Sequence, residues 1–155
     1  MKEEEFKDFY QKYVDMVYRL TFTYFKGNKS KMEDVTQDVF LKVLEKEINF
    51  ESNDHAKYWL IRTTINMCKN SVNHWWNKNI NIENVNEPYI FDKNHDVLDA
   101  VLSLPDKERI TIYLYYYEGY SAKEISNILK KNENTIFGYL HQGRNILKER
   151  LGEDL

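Results

Sequence analysis

Two stretches of the chain combine residue types and spacings that suit contact with nucleic acid. In HAKYWLIRTTINMCKNSVNHWW, the basic and amide residues Arg62, Asn66 and Lys69 stand among aromatic residues at helical spacing. Cations bind phosphates, rings stack on unpaired bases, and amides read the edges of bases. In the second stretch, residues 121–150, two short helical patterns flank a turn. In a helix-turn-helix, the second of two such helices lies in the major groove of DNA.

Enzyme chemistry finds little support in the same sequence. The histidines are scattered at His55, His74, His95 and His141, and their separations are not those of metal ligands. There is no phosphate-binding glycine loop and no nucleophile elbow. The sequence therefore predicts no catalytic residues, no metal and no cofactor, and it favours a surface position for each histidine.

The charge of the chain is unusual for a protein that binds DNA alone. Formal net charge is −3 over 155 residues. Residues 96–155, which contain the two helical patterns around the turn, carry 8 Lys and Arg against 10 Asp and Glu. Bulk charge therefore supplies little DNA affinity. Either DNA is not the ligand, or another molecule contributes most of the affinity.

The second stretch has clear signals for both helices. Ser121 and Glu124 have the spacing of a capping box, which satisfies the first free amides of a helix. Asn132 is placed to cap the next helix, since its side-chain oxygen reaches amides two and three residues later. One face of that helix would carry Ile136, Leu140, Gly143 and Leu147. An ordinary helical hairpin in an all-α domain remains the alternative to a helix-turn-helix.

The flanking text, LPDKERITIYLYYYEGYSAKEIS and TIFGYLHQGRNILKERL, resembles region four of bacterial RNA polymerase sigma factors, and in particular of the extracytoplasmic-function (ECF) group. The landmarks are Leu104-Pro105, Tyr116-Tyr117-Glu118-Gly119, Glu124-Ile125, Thr135-Ile136, Leu140-His141, Arg144 and Leu147. In the family this domain reads the promoter −35 element. The resemblance assigns that contact to Asn134, Phe137, Gly138, Tyr139, His141, Gln142 and Arg144.

Three helical patterns in residues 1–77 predict a small bundle. The first spans 3–26 and ends at Gly27-Asn28, where glycine favours a helix stop. Ser30 is predicted to cap the second, and Asn53 or Asp54 the third, roughly 54–77. The predicted core residues are Phe6, Phe9, Tyr10, Tyr13, Val17, Leu20, Tyr24, Met32, Val35, Val39, Phe40, Val43, Leu44, Tyr58, Trp59, Ile61, Ile65, Cys68 and Val72.

This bundle resembles region two of the same family. MEDVTQDVFLKVLEK is similar to the helix that binds the polymerase largest subunit, which implies a contact by Asp34, Gln37, Asp38, Phe40 and Lys42. A solvated polar face is the alternative for these residues. The third helix resembles the one that melts and reads the −10 element. That resemblance implies a contact by Phe50, Arg62, Asn66, Lys69, Asn70, Trp75 and Trp76.

The asparagine-rich residues 78–95 show no sustained period and predict a flexible linker, with Tyr89-Ile90-Phe91 as a docking point. Helical pattern resumes near Asp96, Pro105 begins the next helix, and Gly119 ends it. The single cysteine, Cys68, excludes an internal disulfide. The predicted domains are therefore 1–77 and 96–155, joined by the linker.

The recognition helix departs from the family pattern. Phe137, Tyr139 and Gln142 stand where basic residues are usual, and Lys130 takes the turn position usually given to glycine. We therefore expect an all-α ECF sigma factor that binds core RNA polymerase and promoter DNA, with an anti-sigma factor as a further partner. The alternatives are a sigma-like regulator and a protein-interaction module with reduced −35 binding. No signal peptide or long apolar run is present, which predicts a cytoplasmic protein without direct membrane insertion.

Overall fold

The protein is built from helices, and the computed structural model describes residues 1–78 and 96–152. The chain divides into two compact units, Met1–Asn86 and Glu87–Leu155. The described residues contain helices and turns and no strand, which confirms the all-α prediction. In chain order the helices are α1 (Glu3–Phe25), α2 (Lys29–Glu45), α3 (Asn53–Lys78), α4 (Asp96–Leu102), α5 (Asp106–Ile112), α6 (Ala122–Leu129) and α7 (Glu133–Leu151).

The first unit is a bundle in which α1, α2 and α3 each pack against the other two. Its centre is apolar, and burying each aliphatic side chain contributes about 1.5–3 kcal/mol relative to exposure. Of the predicted core residues, Tyr10 is 40% exposed and Leu44 is 41% exposed. Leu60, which was not among them, is fully buried, and the predicted residues that are half-buried are Phe6, Phe9, Tyr24, Tyr58 and Trp59. The buried core comprises Tyr13, Met16, Val17, Leu20, Met32, Val35, Val39, Phe40, Val43, Ala56, Leu60, Ile61, Ile65 and Cys68.

The caps of α2 and α3 are not the predicted residues. The chain reverses at Lys26 and Gly27, whose φ angles are 49° and 90°. The next helix therefore begins early, and Asn28 rather than Ser30 accepts the Lys31 amide at 3.3 Å. Before α3, Ser52 accepts the His55 amide at 3.1 Å, so neither Asn53 nor Asp54 is the cap. Both caps are still short polar side chains of the expected kind.

The second unit has α7 as its centre, with α4, α5 and α6 packed against it. Gly143 lets α5 lie close against α7, because a Cβ atom built there would lie 2.8 Å from Ile112 Cγ1. The buried Arg109 guanidinium donates to the Leu104 carbonyl at 3.2 Å and to the Asp106 carboxylate. These bonds tie the turn before α5 to the helix, which begins one residue after the position predicted from Pro105.

A π-helical turn, Tyr113–Tyr117, follows α5 and changes which tyrosine faces the core. The Glu118 amide donates to the Tyr113 carbonyl at 3.2 Å, five residues back. The turn is therefore wider than an α-helical one. Tyr117 is 61% exposed, whereas Leu114 is fully buried. Gly119 ends the segment as predicted, at φ 79°.

Part of the predicted linker and its docking point fall outside the described residues. Residues 79–95, including Tyr89-Ile90-Phe91, belong to that part of the chain. Residues 72–78 have a described helical backbone, but their side chains, including those of Trp75 and Trp76, are not described. The predictions for these residues stay predictions.

Candidate nucleic-acid and protein interfaces

A polar face of α2 lies opposite its buried side. Asp34, Gln37 and Asp38 are exposed, and Lys42 is half-buried beside them. Their helical spacing places the first three on one stripe. Partial burial lowers the pKa of Lys31, and the nearby Asp34 carboxylate opposes that shift. The structure therefore brings four of the five predicted polymerase-binding residues to one accessible surface.

Phe40, the fifth predicted polymerase-binding residue, lies in the core. Its side chain is only 3% exposed. Its ring makes edge-on contacts with Tyr10 at 4.9 Å and with Phe9 at 6.1 Å between centroids. Phe40 therefore cannot form the outer surface of the interface. It holds α2 against α1 and so sets the position of the polar face.

Two leucines on α2 complete an exposed surface that the sequence analysis missed. Leu41 is 50% exposed and follows Gln37 by four residues and Asp38 by three. Leu44, expected inside, is also exposed. An apolar centre with a polar rim is the usual arrangement of a protein contact surface. Val39, Leu41, Val43 and Leu44 are all apolar residues at helical spacing. The sequence therefore does not separate the two exposed leucines from the two buried valines, whereas the structure does.

The predicted −10 residues of α3 form one stripe. Arg62 is half-buried, whereas Asn66, Lys69 and Asn70 are exposed. Steps of three and four residues place them along a single side of the helix. The buried Ile61, Ile65 and Cys68 each precede a stripe residue by one position, so the core side lies about 100° round the helix from the stripe. The stripe thus offers two cations and two amides to a ligand.

The loop before α3 is anchored through Phe50. Its half-buried ring stacks on Phe9 at 5.3 Å with an interplanar angle of 3°. It also meets the rings of Trp59 at 5.6 Å and His55 at 5.4 Å. These contacts fix Phe50 beside an open groove between α1 and the loop, whose lining also includes Asn49 and Asn53. Trp59 is half-buried rather than fully in the core.

The recognition helix α7 is built as predicted at its N-terminus. Asn132 accepts the Thr135 amide at 2.7 Å, and Ser121 and Glu124 form the predicted capping box of α6. Lys130 adopts the left-handed conformation, at φ 56°, that closes α6. The predicted buried residues are confirmed as Ile136, Leu140, Gly143 and Leu147.

The exposed side of α7 contains most of the predicted −35 residues. Phe137 is 51% exposed, and Tyr139 is half-buried. The remaining exposed residues are Asn134, Gly138, His141, Gln142 and Arg144. Arg144 is the only one of this set with a full positive charge. The face is therefore mostly neutral and aromatic.

A tyrosine outside the predicted set lies beside Arg144. The Arg144 guanidinium carbon is 5.9 Å from the centroid of the Tyr116 ring. Tyr116 is 57% exposed, and its ring meets Tyr115 edge-on at 4.9 Å. In the sequence, Tyr116 is a landmark of the family resemblance and not one of the predicted −35 residues. Because the contact joins the π turn to α7, spacing within one helix could not have indicated it.

Among residues 1–78 and 96–152, no three His, Cys, Asp or Glu side chains come together as a metal site would require. None of the helices in this part of the chain is long and apolar enough to cross a membrane.

Comparison with known proteins agrees with the two units. The family model for sigma-70 region 2 matches residues 9–77, and that for sigma-70 region 4 matches residues 94–147. The ECF RNA polymerase sigma factor SigX of Bacillus subtilis is 25% identical, covering 96% of this chain and 84% of SigX. SigW of the same organism is 23% identical over 96% of this chain and 90% of SigW.

A solved structure shows the same fold. The sigma factor RpoE of Bartonella quintana, crystallised with the anti-sigma factor NepR, has a TM-score of 0.75 and 21% identity. The match covers 98% of this chain and 99% of RpoE. The two family regions together span most of the chain, in the order predicted. The chain belongs to the sigma-70 family, and within it to the ECF sigma factors. It is a transcription initiation factor.

Proposed function

We propose that this chain directs core RNA polymerase to promoters through three separate surfaces. The α2 face binds the polymerase, the Phe50 loop and α3 bind the −10 element, and α7 binds the −35 element. The observation that carries this assignment is the α2 face, where exposed leucines lie among acidic and amide residues. The polymerase and promoter would place the protein in the cytoplasm, where it acts without catalysis of its own.

The α2 face suits a basic protein partner with an apolar strip. Asp34 and Asp38 provide negative charge that steers a basic surface to the helix. Leu41 and Leu44 provide apolar area that is released from water when the partner binds. Charge would then set the orientation of the partner, and burial of the leucines would add to the affinity.

The α3 stripe and the Phe50 loop suit DNA that is already unpaired. Arg62 and Lys69 can bind backbone phosphates, while Asn66 and Asn70 can bond to base edges. Phe50 is held on Phe9 and borders an open groove, so a base leaving the duplex would meet an ordered surface. An ordered surface costs less conformational entropy on binding than a loop that must first fold.

The neutral face of α7 favours a −35 contact that depends on shape and apolar contact. Phe137 can pack against thymine methyl groups, and Arg144 can bond to a base or a phosphate. The exposed Phe137 ring also supports a second candidate function, that of a protein-interaction module, because exposed aromatic residues often mark protein contacts. The sigma-factor relatives favour the first function.

An anti-sigma factor is the further partner that we propose. The similar RpoE structure contains the anti-sigma factor NepR, and a structure of CnrH contains the cytosolic domain of CnrY. A protein of this kind would compete with the polymerase for the α2 face or with DNA for α7.

Run-off transcription with core polymerase on genomic fragments tests the proposal. The wild-type protein should yield defined transcripts that core polymerase alone does not make. Leu41→Asp should abolish both the transcripts and co-elution with core polymerase, because it places a charge in the exposed apolar surface of α2. Asp15→Asn, at an exposed position on α1, is the matched control and should leave both intact. Undiminished core binding by Leu41→Asp would refute the α2 assignment.

A further inference from the structure

We propose that Tyr116 is a positioning residue for promoter reading, which acts by holding the Arg144 guanidinium over its ring. The inference rests on the proposed function of α7 as the −35-reading helix. It assigns a role to the π turn, which lies outside the helix that would touch DNA. Tyr116 need not contact DNA itself.

The contact has the geometry of a cation–π pair. The guanidinium carbon of Arg144 lies 5.9 Å from the Tyr116 ring centroid, within the range at which such pairs attract. Both side chains are accessible, and Tyr116 is 57% exposed. A planar guanidinium stacks well on an aromatic face while its N–H groups stay free to donate. The pair therefore orients Arg144 without using up its hydrogen-bond donors.

The π turn determines where Tyr116 stands. Bonding five residues back places Leu114 in the core and leaves Tyr115, Tyr116 and Tyr117 more exposed. The Tyr116 ring then rests edge-on against Tyr115 at 4.9 Å. Tyr117 turns the other way and stacks on Tyr113 at 5.1 Å. The Tyr115–Tyr116 pair supports Arg144, whereas the Tyr117 ring rests on the buried Tyr113 instead.

Preorganisation matters here because Arg144 carries the only full positive charge in the predicted −35 set. An unrestrained arginine loses rotamer freedom when it binds a base or phosphate. An arginine already held on a ring loses less, and the gain appears as affinity. An exposed cation–π pair corresponds to roughly a two- to fivefold change in an equilibrium constant.

The test is a double-mutant cycle on holoenzyme assembled from core polymerase and the full chain. Affinity is measured for promoter DNA with an intact −35 element and with a scrambled one, and the ratio is the −35 discrimination. Tyr116→Leu should reduce this ratio roughly two- to fivefold, and Tyr116→Phe should retain it, since the ring and not the hydroxyl carries the effect. Tyr117→Leu, in the same turn, should leave it unchanged.

Arg144→Gln distinguishes the two proposals. Arg144→Gln should lower −35 discrimination, and adding Tyr116→Leu to this variant should not lower −35 discrimination further. An equal loss from Tyr116→Leu with and without Arg144 would overturn the positioning role and leave the function of α7 intact. Unchanged −35 discrimination in Arg144→Gln itself would overturn both the −35 assignment and the positioning role. Thermal unfolding of each variant separates these results from loss of fold.

Discussion

Two glycines of α7 occupy opposite environments, and they make a matched pair. A Cβ atom on Gly143 would lie 2.8 Å from Ile112 Cγ1, while one on Gly138 would have nothing within 4 Å. Gly143→Ala should therefore destabilise the second unit by about 1–3 kcal/mol, because α5 and α7 must separate. Gly138→Ala should stabilise it by about 0.5–1 kcal/mol through helix propensity. Denaturant unfolding measures both, and equal stabilisation of the two variants would contradict the close approach.

The buried thiol of Cys68 gives a second residue-level prediction. Cys68 is fully buried in the first unit, and burial raises the pKa of its thiol well above the ordinary value. The reactive thiolate is therefore absent at neutral pH in the folded state. A thiol reagent should modify the native protein at a rate limited by unfolding, and should label the denatured protein at once. Rapid labelling of the native protein would place the thiol at the surface.

Individual positions could be predicted where a pattern has one solution. The buried face of α7 follows from spacing, since Ile136, Leu140, Gly143 and Leu147 recur at steps of three and four residues. In α2 the pattern VFLKVL offers more apolar residues than one face can bury. Packing against α1 decides that Phe40 is inside and Leu44 outside, and that contact is remote in sequence. The same reason hid the pairing of Tyr116 with Arg144.

The turn between α6 and α7 stores backbone strain at Lys130. Its φ of 56° is left-handed, and the following amide of Lys131 donates to the Ser126 carbonyl at 3.0 Å. This conformation costs a residue with a Cβ roughly 1–2 kcal/mol relative to glycine. Lys130→Gly should therefore raise the free energy of unfolding of the second unit by about 1 kcal/mol.

Lys131→Gly is the control, because Lys131 does not adopt a positive φ. Glycine there only adds freedom to the unfolded chain, so stability should stay the same or fall. Thermal unfolding monitored by circular dichroism compares the two variants. A larger stabilisation from Lys131→Gly would show that relief of strain at Lys130 is not the cause.

The presence of helices could be predicted from the sequence, while the residues at which they end and the types of turn between them were harder to predict. The capping box of α6 has a unique spacing, and the structure contains it. At the start of α2 the predicted cap was Ser30, but the reversal at Lys26 and Gly27 starts the helix earlier and makes Asn28 the cap. The π turn has no side-chain period of its own, so a run of tyrosines could not reveal it.

The charge of the whole molecule leads to a prediction about DNA binding. With a net charge of −3 and a largely neutral recognition face, the isolated protein should bind duplex DNA weakly and without sequence preference. Each missing phosphate contact removes roughly 0.9 from the slope of log affinity against log salt concentration. The holoenzyme should select promoters under the same conditions. Filter binding across a salt series compares the two, and tight sequence-specific binding by the protein alone would favour a stand-alone regulator.

Family and fold class could be predicted from the sequence because two motifs occur in a fixed order on separate helical patterns. Regions two and four then matched residues 9–77 and 94–147. The accessible surfaces could not be predicted equally well. They depend on which apolar residues the packing leaves outside, as with Leu41, and no local pattern records that choice.

The two sides of α7 differ in how freely they can change over generations. Gly143 and Leu140 face Ile112 and the rest of the core, so most substitutions there would be lost through misfolding before promoter choice came under selection. Phe137, Gly138 and Gln142 face solvent, and substitutions there leave the core untouched. After a gene duplication, the two copies would therefore diverge first in the promoters that they serve and only much later in architecture. For the same reason, a randomised library at these three positions is a practical route to sigma factors that each recognise new promoters and do not recognise those of the other variants.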